Sequence, residues 1–214
     1  MHPSADIELA SSRRRFLLRV SLAAGIPMLI RANSSLGAQQ PTAGSSMQAD
    51  PLEDQQRMRS LAAWTALTFE TPNPVPFGAE IVHSDSGRRL SRASNAVRRE
   101  QDPSAHAEIR TIRLACRTLN SHSLRGYTLY TTCEPCPMCM ACSLWAGLDR
   151  VVYGATIADA AAFGHQILIP AAEIVKRSDM SCVVDGPVEH ELCLALFTNP
   201  KMRATFEKWK RNKS

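Results

Sequence analysis

The sequence predicts an α/β fold built around one core, and three observations carry that reading. A chain of 214 residues with 44% hydrophobic and 21% charged residues has enough apolar material for one sizeable core plus an appendage. From Ala105 onward, stretches with helical periodicity alternate with short β-branched and aromatic runs, the pattern of layered α/β proteins. Ahead of them, one helix and a two-stranded hairpin complete the domain.

Glu53 to Phe69 has helical composition, with Met58, Leu61, Ala62, Thr65 and Leu67 near helical spacing, and the run Pro72 to Pro76 ends it. Phe77 to His83 reads as a strand, Asp85-Ser86-Gly87 as its turn and Leu90 to Ala96 as the returning strand. Ala105 to Leu119 is a helix: Ile109, Ile112, Ala115 and Cys116 recur on one face, and Asp102-Pro103-Ser104 supply start signals. Tyr127 to Thr132 follows as a short buried strand. A second helix runs from about Pro137 to Ala146, with its proline near the first turn, and Val151 to Tyr153 is another strand. Pro170 to Arg177 is helical, Ser181 to Val184 a strand, and Glu189 to Phe197 and Lys201 to Lys210 are helices. Trp64, Phe69, Cys116 and Cys193 are expected in the core.

The first 38 residues read as an address. Ser12-Arg13-Arg14-Arg15-Phe16-Leu17-Leu18 sets paired arginines before an apolar stretch reaching Ile30, which resembles the twin-arginine export signal of bacteria. At roughly 15 residues, interrupted by Arg19, Gly25 and Pro27, that stretch is shorter than the ~20 apolar residues of a transmembrane helix. The expected organisation is a signal at 1–38 cleaved near Ala38, a flexible Gln-, Ser-, Ala- and Pro-rich linker at 39–51, and a folded domain at 52–214. The expected location is the periplasm or another compartment reached by the twin-arginine route, with no permanent membrane span.

The formal charge is +5, yet five arginines against Asp6 and Glu8 give residues 1–38 a balance of +3 and leave +2 for the remainder. So weak a charge on the domain argues for a small-molecule substrate and against a nucleic-acid partner. Arg88, Arg89, Arg92, Arg98 and Arg99 form a local basic patch, read as a solvated face.

Four of the seven cysteines fall between Cys133 and Cys142, so metal or cluster chemistry describes them better than a disulfide framework. His106-Ala107-Glu108 opens a helix, and Pro135-Cys136-Pro137-Met138-Cys139 stands where a strand passes into another. His106, Cys136 and Cys139 make a three-ligand zinc site whose fourth position stays open, the arrangement of catalytic centres. Glu108, two residues from His106, suits a proton shuttle better than a second ligand. Two other readings of the cysteines are open. Cys133, Cys136, Cys139 and Cys142 overlap an iron-sulfur run, which would make this an electron-transfer protein, although such a run closes with x-x-x-Cys-Pro, whereas Cys142 comes one residue early and is followed by Ser143. A closed, non-catalytic zinc module would recruit Cys133 or Cys142 as fourth ligand.

His-x-Glu followed by Pro-Cys-x-x-Cys is the signature of zinc nucleobase deaminases. With Pro76-Phe77-Gly78-Ala79, Asn95 and the run Thr132 to Cys139, it makes residues 55–200 resemble the cytidine-deaminase-like superfamily. Within it they are most similar to guanine deaminases and bacterial tRNA adenosine deaminases. The resemblance implies a three-layer α/β/α fold with a mixed sheet of about five strands, a homodimer, and one zinc ion per chain. It implies hydrolytic deamination of a nucleobase or nucleoside, purine favoured, with zinc hydroxide as nucleophile and Glu108 as proton shuttle. Asn95 matches the asparagine that hydrogen-bonds the substrate; Phe77, Ala107 and Trp145 match substrate-binding positions. The stretch Ala162 to Ile167 lacks the acidic residue that guanine deaminases carry there, and spacing fixes no role for Asp159 or His165.

Overall fold

A computed structural model describes residues 50–211. The expected export signal and nearly all of the expected linker lie outside the described residues. The elements in chain order are α1 (Pro51–Ala66), a 3-10 turn (Leu67–Glu70), β1 (Gly78–His83), β2 (Arg89–Ser94), α2 (Val97–Glu100) and α3 (Ala107–Leu119). After them come β3 (Tyr127–Cys133), α4 (Pro137–Trp145), β4 (Arg150–Ala155), α5 (Ile157–Ala161), α6 (Ala171–Lys176), β5 (Val183–Asp185), α7 (His190–Thr198) and α8 (Pro200–Arg211).

The five strands form one mixed sheet in the order β2-β1-β3-β4-β5. β1 pairs antiparallel with both β2 and β3, while β3, β4 and β5 run parallel. Alternation along each strand sends successive side chains to opposite faces. Val82, Tyr130 and Val152 meet Met58, Leu61 and Ala62 of α1, Leu196 and Phe197 of α7, and Met202 and Phe206 of α8. Their neighbours Ile81, Leu129 and Val151 point the other way, onto Ile112 and Ala115 of α3, Met140 and Leu144 of α4, and Ala171 of α6. The expected three-layer α/β/α fold with a mixed five-stranded sheet is the one observed. Among the described residues no helix is long and apolar enough to cross a membrane.

The element boundaries differ from expectation in ways that local hydrogen bonds explain. α1 begins at Pro51, because Asp50 caps it by accepting from the Leu52 amide at 2.9 Å. β1 starts at Gly78, leaving Phe77 just outside the strand, and β2 stops at Ser94. The Asn95 amide donates to the Phe77 carbonyl at 3.0 Å, and the Asn95 Oδ1 accepts from the Val97 amide at 3.2 Å, which turns the chain into α2. α3 begins at Ala107, not Ala105: the Ala105 and His106 amides bond back to Asp102 and Ser104 carbonyls, and His106 is extended at φ −66°, ψ 155°. Helix α5 was not anticipated. Thr156 and Asp159 form a reciprocal capping box at its start, a signal present in the sequence as Thr-x-x-Asp.

Phe69 and Cys193 are buried as expected; Trp64 and Cys116 are partly buried. The basic patch divides. Arg92 turns inward to the buried Glu80, donating from Nε at 2.7 Å with its guanidinium 5.1 Å from the Trp64 ring centre, and Arg89 lies 3.9 Å from the same carboxylate. Arg98 and Arg99 stay on α2, on the side of Asn95.

Candidate metal centre

Two helix starts converge to build the site. His106 is the N-cap of α3 and Cys136 the N-cap of α4, both extended, and neither side chain caps its own helix. Pro137 occupies the first helical position after Cys136, where its missing amide costs nothing. One turn on, Cys139 points inward on the buried stripe that also carries Met140, Ser143 and Leu144. Cys136 therefore sits at the positive end of the α4 dipole, which favours its thiolate over its thiol.

The three ligand atoms lie within 4.8 Å of one another. Cys136 Sγ is 3.6 Å from Cys139 Sγ and 3.7 Å from His106 Nδ1, and Cys139 Sγ is 3.5 Å from that nitrogen. Around one tetrahedral zinc, two sulfurs stand ~3.8 Å apart and a sulfur and an imidazole nitrogen ~3.6 Å apart, from ordinary bond lengths. The donor set and its spacing fit zinc. Neither Cys133 nor Cys142 belongs to the cluster. The Cys133 thiol faces the Thr156 carbonyl at 3.8 Å, so neither the iron-sulfur reading nor the four-ligand module finds its ligands together.

Glu108 is the anomaly on α3. It shares the buried stripe with Thr111, Ile112 and Ala115, at the 3.6-residue spacing that normally carries apolar side chains. Burial pushes its carboxyl up to about 7, against the pull of His106. A hydrogen bond with Cys139 outweighs burial and brings Cys136 down to about 4, with His106 adding to the effect. Cys139 holds the proton of the pair, raised by its bond with Cys136 and by burial. The hydrogen bond with Cys136 raises His106 against the opposing effect of its burial. A carboxyl that exchanges its proton near neutrality thus stands beside a metal-ready trio.

Of the predicted substrate-binding residues, Ala107 adjoins His106 in the chain, and Asn95 and Phe77 are linked to its neighbourhood by backbone hydrogen bonds. Ala107 is fully buried between His106 and Glu108. Asn95 reaches the region through backbone pairing, since the next residue's amide, Ala96, donates to the Ala105 carbonyl beside His106 at 2.9 Å. Phe77, bonded to Asn95, packs edge-on against Phe197 with ring centres 5.2 Å apart. Trp145 is not drawn in: it ends α4, six residues or ~9 Å beyond Cys139, and is 78% exposed.

Glu134 had no assigned role, although it precedes the cysteine pair. Its buried carboxylate accepts from the Ile157 amide at 3.1 Å and the Ala171 amide at 2.9 Å, tying the start of α4 to α5 and α6. The signal was a lone acid in an otherwise uncharged run from Tyr127 to Trp145. Asp159 is engaged by the α5 cap and by His190 Nε2 at 2.8 Å, and His165 is exposed.

A mixed sheet whose two flanking helices begin with a histidine and a Pro-Cys-x-x-Cys run defines a zinc-binding deaminase domain. Residues 52–155 match the cytidine and deoxycytidylate deaminase zinc-binding region. The tRNA-specific adenosine deaminase of Rickettsia bellii is 39% identical over 99 residues, 46% of this chain and 68% of that protein. The chain belongs to the cytidine and deoxycytidylate deaminase family. Guanine deaminase of Bacillus subtilis is 45% identical over 104 residues, 49% of this chain. The chain spans less than two thirds of the length of the first curated relatives, 65% of that guanine deaminase and 52% of a tRNA-specific adenosine deaminase from Agrobacterium fabrum. The structure of guanine deaminase from Nitrosomonas europaea shares the fold, with a TM-score of 0.60 at 21% identity, covering 77% of this chain and 99% of that one.

Proposed function

We propose that the protein is a zinc-dependent hydrolase that removes the exocyclic amino group of a purine base or nucleoside. The observation that carries this reading is the buried Glu108 carboxyl set next to a His106, Cys136 and Cys139 cluster of zinc dimensions. Bound there, zinc supplies the positive charge that makes water acidic enough to act as a nucleophile near neutral pH. Glu108 then accepts a proton on its carboxylate and delivers it to the departing amine, a sequence that its dry surroundings favour. Asn95 offers its side-chain amide to orient the ring, with Phe77 as an apolar wall and Ala107 providing a surface without bulk. Trp145 takes part in binding the base in this reading only if another chain brings it to the site. The purine preference is supported by the names of the relatives, guanine deaminases and tRNA-specific adenosine deaminases.

The test is ammonia release by the zinc-loaded protein from a panel of amino-purines, amino-pyrimidines and pterins, with Glu108→Gln alongside. The expected result is turnover of a purine, lowered ~10²–10⁴-fold in the variant while zinc is retained. No ammonia from any compound, or an active Glu108→Gln protein, would overturn the reading.

Export and dimerisation extend the proposal. The arginine motif at residues 12–18 supports delivery outside the cytoplasm by the twin-arginine route, to be checked by fractionating cells that express the full chain and an Arg14→Lys, Arg15→Lys form. Met138 and Trp145, seven residues apart on one side of α4 and both exposed, support pairing with a second copy. Sedimentation should give a dimer, weakened by Trp145→Ala.

A further inference from the structure

We propose that Thr132 is a positioning residue for the substrate wall: its hydroxyl fastens Phe77 and Asn95 to the strand that leads into the metal centre, and so sets where the base lies relative to the zinc ligands. The inference rests on the deaminase reading above and adds to it a residue outside the metal cluster. Thr132 is the last residue but one of β3 and is fully buried.

The pairing of β1 with β3 shows why a side chain is needed there. The ladder runs from His83 and Tyr127 to Ala79 and Thr131. One step further, at Gly78, that ladder has ended and the Thr132 hydroxyl takes over. It accepts from the Gly78 amide at 3.0 Å and donates to the Pro76 carbonyl at 2.8 Å. Its proton and an acceptor lone pair are thus both spent on the two residues that flank Phe77. On its other edge the same segment is held by β2, where Gly78 pairs with Ser94 and the Asn95 amide donates to the Phe77 carbonyl at 3.0 Å. Asn95 therefore follows Phe77, and Phe77 follows Thr132. The approach to α1 is as close as the chain allows, since a Cβ at Gly78 would stand 2.0 Å from Thr65 Oγ1.

Position ties this bracket to the metal. From Thr132 the chain passes through Cys133, Glu134 and Pro135 to Cys136, four steps that span at most ~14 Å. Their far end is fastened too: the Glu134 amide donates to the Ala155 carbonyl at 2.7 Å, and its carboxylate takes the Ile157 and Ala171 amides. One short stretch of chain carries the hydroxyl that places Phe77 and Asn95 at one end and a member of the metal cluster at the other. Without the hydroxyl the wall can move while the ligands stay, and a displacement of ~1 Å in such a placement can cost ~10²-fold.

The experiment measures binding separately from turnover. Thr132→Val keeps the shape and removes both hydrogen bonds; Thr132→Ser keeps the hydroxyl. Each is made in the full chain, loaded with zinc and followed by ammonia release from adenine, adenosine, guanosine and cytidine. Binding of the same compounds is measured calorimetrically in Glu108→Gln protein carrying the same changes. Thr132→Val is expected to raise KM and the dissociation constant ~10–10²-fold while changing kcat less than about threefold. It should keep about one zinc per chain. Thr132→Ser should recover most of the affinity. A merely structural hydroxyl would lower the unfolding temperature and leave KM, measured well below it, where it was. Should Thr132→Val fail to fold, Gly78→Ala displaces the same segment through its clash with Thr65; it should raise KM likewise, and Thr65→Ala in the same chain should restore part of the loss. KM and affinity unmoved in folded Thr132→Val or Gly78→Ala protein that still releases ammonia would overturn the inference. So would loss of zinc from Thr132→Val, which would assign the hydroxyl to the metal loop instead. A native protein that neither binds nor deaminates any of the compounds would overturn the deaminase reading itself, and the inference with it.

Discussion

Arg150 on β4 grips Asp54 on α1 with both ends of its guanidinium, Nη1 donating to Oδ1 at 2.9 Å and Nη2 to Oδ2 at 2.6 Å. The Tyr130 hydroxyl donates to the same Oδ1 at 2.6 Å, and the Arg150 Nε donates to Asp185 at 2.6 Å. One buried guanidinium thus fastens the first helix to β4 and β5. Asp54→Asn should leave that cation short of its main partner inside the protein, at a cost of about 3–5 kcal/mol. Urea unfolding of the two proteins measures it; a loss below about 1 kcal/mol would mean that water serves the cation as well.

The same pair sets an acid limit. Burial works to raise the Asp54 carboxyl, but the hydrogen bonds of Arg150 and Tyr130, with the charges of Arg150 and Arg57, hold it below its ordinary 3.8. The unfolded chain then takes up that proton more readily than the folded one. The stabilisation is complete above 3.8 and is lost as pH falls through the lower, folded value. Unfolding midpoints from about pH 5 to about pH 2 should drop more steeply for the native sequence than for Asp54→Asn. Parallel curves would contradict this.

Gly154 on β4 has no room for a methyl group. A Cβ there would stand 2.2 Å from Cys193 Sγ and 2.9 Å from the Thr132 carbonyl oxygen. Gly154→Ala should cost about 1–3 kcal/mol as α7 is pushed from the sheet, and Cys193→Ala in the same chain should restore part of it. Thermal unfolding of the single and double variants gives the coupling directly.

The cysteines should divide by metal content. Cys136→Ala, Cys139→Ala and His106→Ala are expected to fall well below about one zinc per chain, while Cys133→Ala and Cys142→Ala keep it. Elemental analysis after dialysis reads the result. Zinc lost from Cys133→Ala or Cys142→Ala, with the fold intact by circular dichroism, would bring back a four-ligand centre.

Much of this was legible because it is local. The strand at Tyr127 to Thr132 follows from a short buried run and the helix stripe through Ile112 and Ala115 from periodicity, and the ligands declare themselves through short spacing of uncommon residue types. Arg150 and Asp54 are 96 positions apart in otherwise ordinary segments, so no window of sequence joins them. The start of α3 was misplaced because Asp102-Pro103-Ser104 does begin a turn, one that closes before His106 and leaves the imidazole in extended backbone. Trp145 matches a substrate-binding position by resemblance alone, and only the packing of α4 reveals that its side chain is exposed.

The order of strands has a further consequence for the outside of the molecule. Among the described residues, β2 and β5 are the sheet's two borders, where unpaired backbone groups invite another chain to add a strand and begin a precipitate. β2 carries the exposed Arg89 at its start, and β5 is three residues long and ends in Asp185. Charge guards one border and brevity the other, so growth of the sheet into an aggregate is discouraged at both ends by residues that take no part in the metal centre.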